Sequence, residues 1–128
     1  MAVLLEDVLS PVARDFWSSL TGNDEVIAPA LLFPECTSVI RNRVHRLLLT
    51  ETEGAAIMRE LLRMPISIMQ STEQFTLAYA FATRLGRVRA YDTQYLAVAR
   101  LGEASLVTLD GGMHQAAVEL GISARLLR

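Results

Sequence analysis

The 128-residue sequence has few of the residues and patterns that mark secreted or membrane-embedded proteins. It contains one cysteine, Cys36, so no disulfide can form within the chain and nothing indicates an oxidising compartment. Its longest apolar stretches, such as residues 26–33, fall far short of the roughly 18 residues that suggest a membrane span. Residues 1–5 are apolar but lack a basic leader and a cleavage signature. We therefore expect a cytoplasmic protein that does not enter a membrane.

Lysine is missing altogether, and basic residues are slightly outnumbered by acidic ones. Twelve arginines stand against fourteen acidic residues, which gives a net charge of -2 and a pI near 5.6. This balance excludes a generally basic protein that coats nucleic acid without specificity. It leaves room for a local basic groove, because arginine suits bidentate contacts to phosphate.

Several common catalytic patterns lack their residues. Cys36 has no convincing histidine partner, which argues against a thiol nucleophile. His45 and His114 have no metal-ligand spacing to another histidine or cysteine. The pair Gly111-Gly112 is too short for a phosphate loop, and no Walker or dinucleotide-binding pattern occurs. These observations exclude nucleotide binding of those kinds.

The composition is that of a folded chain. Hydrophobic residues make up 52% of the sequence and charged residues 20%, and no long linker, low-complexity tract or repeat interrupts it. At this length we expect one compact domain over residues 1–128.

Capping signals and short turns divide the chain into alternating helices and strands. Ser10 and Pro11 predict the start of a first helix, and capping boxes at Thr50 and Ser71 predict two more. Further helices are predicted over residues 31–44, 91–101 and 113–120, and strands over residues 26–28, 66–69, 104–108 and 122–127.

Alternating strands and helices indicate an α/β layer architecture with a largely parallel sheet. Only four strands are visible, and the first strong element is a helix. A three-layer α/β fold normally begins with a central strand, so we expect an element to be missing at the front.

Three acidic residues lie where ligands bind in such folds, at the carboxyl ends of parallel strands. Asp110 follows the strand at 104–108, and Glu35 lies in the first turns of the helix after the strand at 26–28. Asp92 lies at the start of the helix at 91–101. We expect the three side chains to meet at one edge of the sheet.

Clustered carboxylates favour a divalent cation, because a cation relieves their mutual repulsion and Mg²⁺ or Mn²⁺ prefers oxygen ligands. Such an ion could activate water and neutralise a phosphodiester. Thr108, two residues before Asp110, could direct its hydroxyl toward a metal-bound water or the Asp110 carboxylate. The alternative interpretation is that all three acids are helix-start residues favoured by the helix dipole.

Three segments of the chain resemble the successive motifs of PIN-domain ribonucleases of the VapC toxin type, in order and in spacing. These segments are Pro34-Glu35 followed by Thr37-Ser38-Val39, then Arg89-Ala90-Tyr91-Asp92-Thr93-Gln94-Tyr95-Leu96-Ala97, then Leu106-Val107-Thr108-Leu109-Asp110. The resemblance covers nearly the whole chain.

The resemblance implies a three-layer α/β/α sandwich around a short, mostly parallel sheet, and an acidic site that hydrolyses RNA with Mg²⁺ or Mn²⁺. Glu35, Asp92 and Asp110 match the acidic positions of the family, and Thr108 matches its hydroxyl residue. The resemblance further implies a homodimer and an antitoxin partner whose tail fills the acidic cleft.

One family feature has no match in the sequence pattern. The family begins with an apolar strand that ends in a metal-ligating Asp, whereas residues 1–7 look like the end of the helix that follows this strand. We therefore expect the strand and its Asp to be missing, through a misassigned start, a truncation or degeneration. Glu6 or Asp7 could substitute for the Asp, although both stand where the family has a solvated helix end.

Basic residues near the acidic positions are candidates for RNA contacts. Arg41 belongs to a basic stretch late in the helix of Glu35, and Arg89 precedes Asp92 in a loop. Either could track phosphate. A solvated basic helix end is the alternative for Arg41.

Three functions follow from these patterns. The first is a metal-dependent endoribonuclease, the toxin of a toxin-antitoxin pair. The second is a non-catalytic interaction module with the same fold, which a missing first-strand Asp would favour. The third is an unrelated α/β binding domain, in which the three acids would not cluster.

Overall fold

A computed structural model of the chain describes residues 2–4, 10–87 and 90–128. The described residues form five strands and six helices. In chain order they are β1 (Ala2–Leu4), α1 (Pro11–Ser18), β2 (Val26–Pro29), α2 (Leu32–His45), α3 (Glu51–Arg63), β3 (Ile66–Met69), α4 (Thr72–Leu85), α5 (Tyr91–Leu101), β4 (Ser105–Thr108), α6 (Gly111–Glu119) and β5 (Ala124–Leu126). The positions of all the predicted helices and strands are confirmed to within a few residues.

All five strands form one sheet in the order β3-β2-β1-β4-β5, and every pairing is parallel. Along the chain the strands move from β1 to β3 on one side of the sheet, and from β4 to β5 on the other. Right-handed crossovers therefore place helices on both faces of the sheet. The result is the three-layer α/β/α sandwich that the family resemblance implied.

The expectation of a missing first strand is wrong. β1 lies at the centre of the sheet, where Ala2 pairs with both Val26 of β2 and Ser105 of β4. A strand of three residues carries little local signal, and its stability comes from the parallel neighbours on both sides. Glu6 and Asp7 lie outside the described residues, so a substitute for the family's first Asp stays a prediction.

The core lies where α5 packs against the sheet. Residues 95–99 of α5 are all buried, and this helix contacts α4 and the strands β1, β2 and β4. All four residues of β2 are buried too, as expected for a strand in a parallel sheet with both faces covered. Helix α5 is thus the rigid element on which one side of the candidate site is built.

Two of the three predicted N-terminal caps form as expected, and one forms only in part. The Ser10 hydroxyl accepts from two amides of α1, and Thr50 and Glu53 exchange both bonds of a capping box at 3.0 Å. At α4, Ser71 accepts from the Gln74 amide, but the Gln74 side chain does not return the bond. It turns inward and donates to Gln94 of α5 at 3.0 Å.

No helix within the described ranges is long and apolar enough to cross a membrane.

Candidate functional site

The topology brings the three predicted acids to one edge of the sheet. Glu35 is in the first turn of α2, which follows β2, and Asp110 caps α6, which follows β4. Helix α5 leads into the start of β4 and so runs against the strands, which places its first turn, with Asp92, at the same edge. All three acids are also helix-start residues, as the alternative interpretation required.

Glu35 and Asp92 line a common open cleft of about 750 Å³. Its walls are completed by Leu31, Pro34, Ser38, Val39 and Tyr91. The cleft lies between the first turns of α2 and α5, so the two carboxylates come from opposite walls. Both side chains are partly buried, which strengthens their mutual repulsion relative to bulk water.

The closeness of Asp92 affects the pKa of Glu35. Partial burial raises the pKa of its carboxyl, and the negative charge of Asp92 raises the pKa further. The Tyr95 hydroxyl acts in the opposite direction, because it donates to Glu35 Oε1 at 2.6 Å and favours the charged form. A positive charge in the cleft would stabilise both carboxylates.

Asp92 also has a basic neighbour. Arg87 Nη1 lies 3.4 Å from Asp92 Oδ2, and both side chains keep a sizeable exposed fraction, 32% for Arg87 and 45% for Asp92. An ion pair of this length and exposure is weak. Asp92 therefore stays available for another cation.

Asp110 has a structural task of its own. Its Oδ1 accepts from the amides of Gly112 at 2.7 Å and Met113 at 3.4 Å, which caps α6. Oδ2 has no hydrogen-bond partner among the described residues. Thr108 is buried, and its hydroxyl accepts from the backbone amide of Asp110 at 3.0 Å. Thr108 thus fixes the backbone of Asp110, whereas the expected contact with the carboxylate is not formed.

Within the described part of the chain, no three His, Cys, Asp or Glu side chains are grouped closely enough to hold a metal ion. The structure brings Glu35 and Asp92 together and leaves Asp110 outside the lining of their cleft. Two carboxylates still fit Mg²⁺, which usually keeps several waters and binds proteins through one or two carboxylates.

The two predicted RNA-contact residues have different outcomes. Arg89 lies outside the described residues. Arg41 is exposed on α2, six positions after Glu35, which places it about 120° around the helix from that residue. Its contact with RNA stays a prediction. Arg46, also exposed, follows Glu35 by eleven positions and lies at nearly the same angle around the helix.

Tyr95 and Arg87 are site residues whose role the sequence did not reveal. Tyr95 lies among the apolar residues of α5, and it is fully buried there. Its spacing of three from Asp92 places both on one helix face, which is the signal that could have identified it. Arg87 stands in a group of arginines before Asp92, and nothing in the sequence singles it out.

Solved structures with the same fold support this architecture. The chain is similar to the crystal structure of FitAcB from Neisseria gonorrhoeae, with a TM-score of 0.65, 19% identity, and coverage of 97% of this chain and 96% of that one. It is also similar to the structure of FitAB bound to an IR36 DNA fragment, with a TM-score of 0.68, 17% identity, and coverage of 98% and 94%. At these identities the likeness shows the fold alone.

A comparison with curated protein sequences gave no match. The sequence model of the PIN domain, by contrast, matches residues 1–119, which include β1, the cleft acids Glu35 and Asp92, and Asp110. The chain belongs to the PIN domain family.

Proposed function

We propose that this protein is a divalent-metal-dependent endoribonuclease that hydrolyses RNA phosphodiester bonds. The observation that carries the proposal is the pair of carboxylates, Glu35 and Asp92, facing one open cleft at the carboxyl edge of the sheet. Membership of the PIN domain family supports it, because PIN domains are generally nucleases.

The donor set of the cleft fits Mg²⁺ or Mn²⁺. Glu35 and Asp92 would hold the ion, and we assign Asp110 as a third carboxylate through Oδ2, which is unpartnered in the described structure. When bound, the ion would supply neutralising charge for a phosphodiester and a lowered pKa for an attacking water. The cation would also offset the repulsion between the two carboxylates and the phosphate of a substrate.

The remaining residues of the site position these carboxylates. Tyr95 donates to Oε1 of Glu35, and this hydrogen bond favours the ionised carboxylate that a cation requires. Thr108 holds the backbone of Asp110 at the start of α6. Arg87, in weak contact with Asp92, is placed to offset the charge of an incoming phosphate.

We further propose that the protein is the toxin of a toxin-antitoxin pair, acts in the cytoplasm, and forms a homodimer. Membership of the PIN domain family and the similarity to FitAB support this proposal. FitAB, the similar protein of known structure, binds a DNA fragment. Light scattering of the purified chain, alone and with the product of a neighbouring gene, would measure both associations.

The experiment that tests the nuclease proposal is cleavage of a structured RNA pool with Mg²⁺ or Mn²⁺, with EDTA as the metal-free control. Asp92→Asn and Glu35→Gln should abolish cleavage because they remove the charge that binds the ion. Glu60→Gln is the matched control, since Glu60 is an exposed acid on α3 outside the cleft lining, and it should cut like the wild type. Metal-dependent cutting that survives Asp92→Asn would contradict the proposed site.

A non-catalytic interaction module is the second candidate. The observation that favours it is that Asp110 caps α6 and no three acids are grouped among the described residues. In that case the chain would bind a protein partner without cutting RNA, and Glu35→Gln would leave partner binding and dimer formation unchanged. Cleavage lost in Glu35→Gln would exclude this candidate.

A further inference from the structure

A second, smaller pocket adjoins the acidic cleft. It has a volume of about 200 Å³, and it shares Leu31 and Tyr91 with the cleft of Glu35 and Asp92. Its volume equals that of roughly seven water molecules at about 30 Å³ each, which suits one flat ring system. A molecule bound between the two carboxylates could therefore place a neighbouring chemical group in this second pocket.

Two exposed aromatic side chains line this pocket. Tyr91, at the start of α5, is 62% exposed, and Phe75, on α4, is 49% exposed. Flat aromatic rings are the surfaces on which unpaired nucleobases stack, so two such rings at one pocket offer a base a place to bind.

Two glutamines that are hydrogen-bonded to each other, Gln74 and Gln94, also line the pocket. Gln74, only 2% exposed, donates from Nε2 to Oε1 of Gln94, and its own Oε1 is buried with no hydrogen-bond partner. Exchanging O and N in both amides reverses the bond and still leaves one buried polar atom of Gln74 unpaired. A buried amide with an unpaired atom points to a ligand, since such atoms in native proteins normally have partners.

The position of Gln74 in α4 does not by itself require its side chain to turn inward, as the equivalent residue of α3 shows. At α3 the equivalent residue, Glu53, returns its side chain to the Thr50 amide and completes the capping box. Gln74 stands at the same position after Ser71 and gives up that bond to lie against the pocket. The Gln74 side chain therefore does not bond to the Ser71 amide, although that partner is nearby. It lies instead where a ligand would complete the hydrogen bonds of its amide.

We propose that this pocket binds one unpaired nucleobase of the RNA beside the acidic cleft, and that Gln74 and Gln94 select which base enters. Phe75 and Tyr91 stack on the base, Gln74 Oε1 accepts from an N–H of its edge, and the Gln94 amide donates to an acceptor of that edge. The inference deepens the proposed function, because it gives the RNA at that site a position where the sequence is read.

Binding without cleavage tests the pocket independently of the reaction. The probes are fluorescently labelled single-stranded RNA decamers of adenosine, cytidine or uridine, and an abasic decamer with the same backbone, measured by anisotropy in EDTA. The wild type should bind one homopolymer at least about ten-fold more tightly than the abasic strand, in line with stacking and edge contacts.

Two variants change residues that line this pocket and do not line the acidic cleft. Phe75→Ala should weaken binding of all homopolymers about ten-fold and leave abasic binding unchanged. Gln74→Leu, of similar size, should reduce the differences between homopolymers, and Gln94→Leu replaces it if Gln74→Leu does not fold. Tyr79→Ala is the matched control, because Tyr79 is an exposed aromatic one turn along α4 that does not line the pocket.

The outcomes separate this inference from the proposed function. Metal-dependent cleavage together with unchanged homopolymer binding in Phe75→Ala and Gln74→Leu overturns the base pocket alone. Base-dependent binding that both variants reduce, in a chain that does not cut, supports the pocket and overturns the nuclease. Equal binding of abasic and homopolymer strands by the wild type also overturns the pocket.

Discussion

The buried Tyr95 hydroxyl donates to Glu35 Oε1 at 2.6 Å and so joins α5 to α2 across sixty positions of sequence. Glu35 is the described acid whose pKa is raised, and this hydrogen bond is what limits the rise. The contact fixes one wall of the cleft relative to the other. It also keeps a partly buried carboxyl closer to the ionised state that cation binding needs.

Replacing Tyr95 by Phe should raise the pKa of Glu35 further. The variant loses the bond that favours the charged form and keeps both the burial and the repulsion from Asp92. We expect it to be less stable by about 1.5–3 kcal/mol, the usual contribution of a hydrogen bond to a charged group. Carbon NMR titration of the Glu35 carboxyl checks the pKa, and an unchanged titration midpoint would contradict the role assigned to Tyr95.

Glu35→Gln should stabilise the protein at neutral pH. A carboxyl whose pKa is raised on folding contributes stability below its ordinary value of 4.5, and this contribution is lost as the pH rises through the folded-state pKa. At pH 7 the wild type therefore carries an unfavourable charge that the variant lacks. Thermal unfolding should show a higher Tm for the variant at pH 7, with the difference closing toward pH 4.

Glu53→Gln should change the Tm at pH 7 in the opposite direction from Glu35→Gln. The capping bonds with Thr50 lower the pKa of Glu53, so its stabilising effect is present above pH 4.5 and is lost as the pH falls through the lowered value. This variant should have a lower Tm than the wild type at pH 7 and match it in acid. If both variants shifted the Tm in the same direction at pH 7, the assignment for Glu35 would be wrong.

Mg²⁺ or Mn²⁺ should raise the Tm of the wild type. An ion that binds only the folded chain adds about 2.7 kcal/mol at a concentration one hundred times its Kd. The metal-dependent rise in Tm should be absent in Glu35→Gln and Asp92→Asn, which remove the charges facing the cleft. It should be as large in Glu60→Gln as in the wild type. A Tm increase of equal size in all four proteins would place the ion elsewhere.

Asp110 serves as a helix cap, and two substitutions separate that task from a role in the cleft. Asp110→Asn keeps a good capping side chain and removes the charge, so stability should stay within about 0.5 kcal/mol while RNA cleavage is lost. Asp110→Ala should lose cleavage and also about 1 kcal/mol of stability. An Asn variant that cuts RNA at the wild-type rate would restrict Asp110 to capping.

Local chemistry in the sequence predicted more of the fold than of the site. Caps such as Ser10 and Thr50 act within one helical turn, so the helix starts could be located without the tertiary structure. Strand β1 could not be located in this way, because its three residues are stable as a strand only between β2 and β4. Its position depends on partners more than twenty residues away.

In the site, too, only part of the arrangement could be predicted from the sequence. The rule that ligands bind at the carboxyl edge of a parallel sheet predicted that Glu35, Asp92 and Asp110 would meet. Glu35 and Asp92 share a cleft, whereas Asp110 caps α6 and lies outside the lining of that cleft. The contact of Tyr95 with Glu35 and the inward turn of Gln74 depend on how helices pack, and residue spacing alone does not encode it. Gln74 even matches a capping-box pattern whose second bond it does not make.

Gly102 directly follows α5, and its φ of -87° is open to any residue. Glycine is therefore needed at this position for space and not for its backbone conformation. A Cβ at this position would overlap Ile27 Cδ1 and lie 3.1 Å from the Val98 carbonyl oxygen. Gly102→Ala should therefore destabilise the protein by about 1–3 kcal/mol, the usual cost of overpacking. Urea unfolding measures the loss.

Two further variants test the cause of that loss. Gly22→Ala should have almost no effect, since nothing lies within 4 Å of a Cβ there. Adding Ile27→Val to Gly102→Ala removes the overlapping Cδ1 and should recover part of the stability, so that the double variant loses less than the sum of the two single changes. Strict additivity would show that Gly102 is required for a reason other than contact with Ile27.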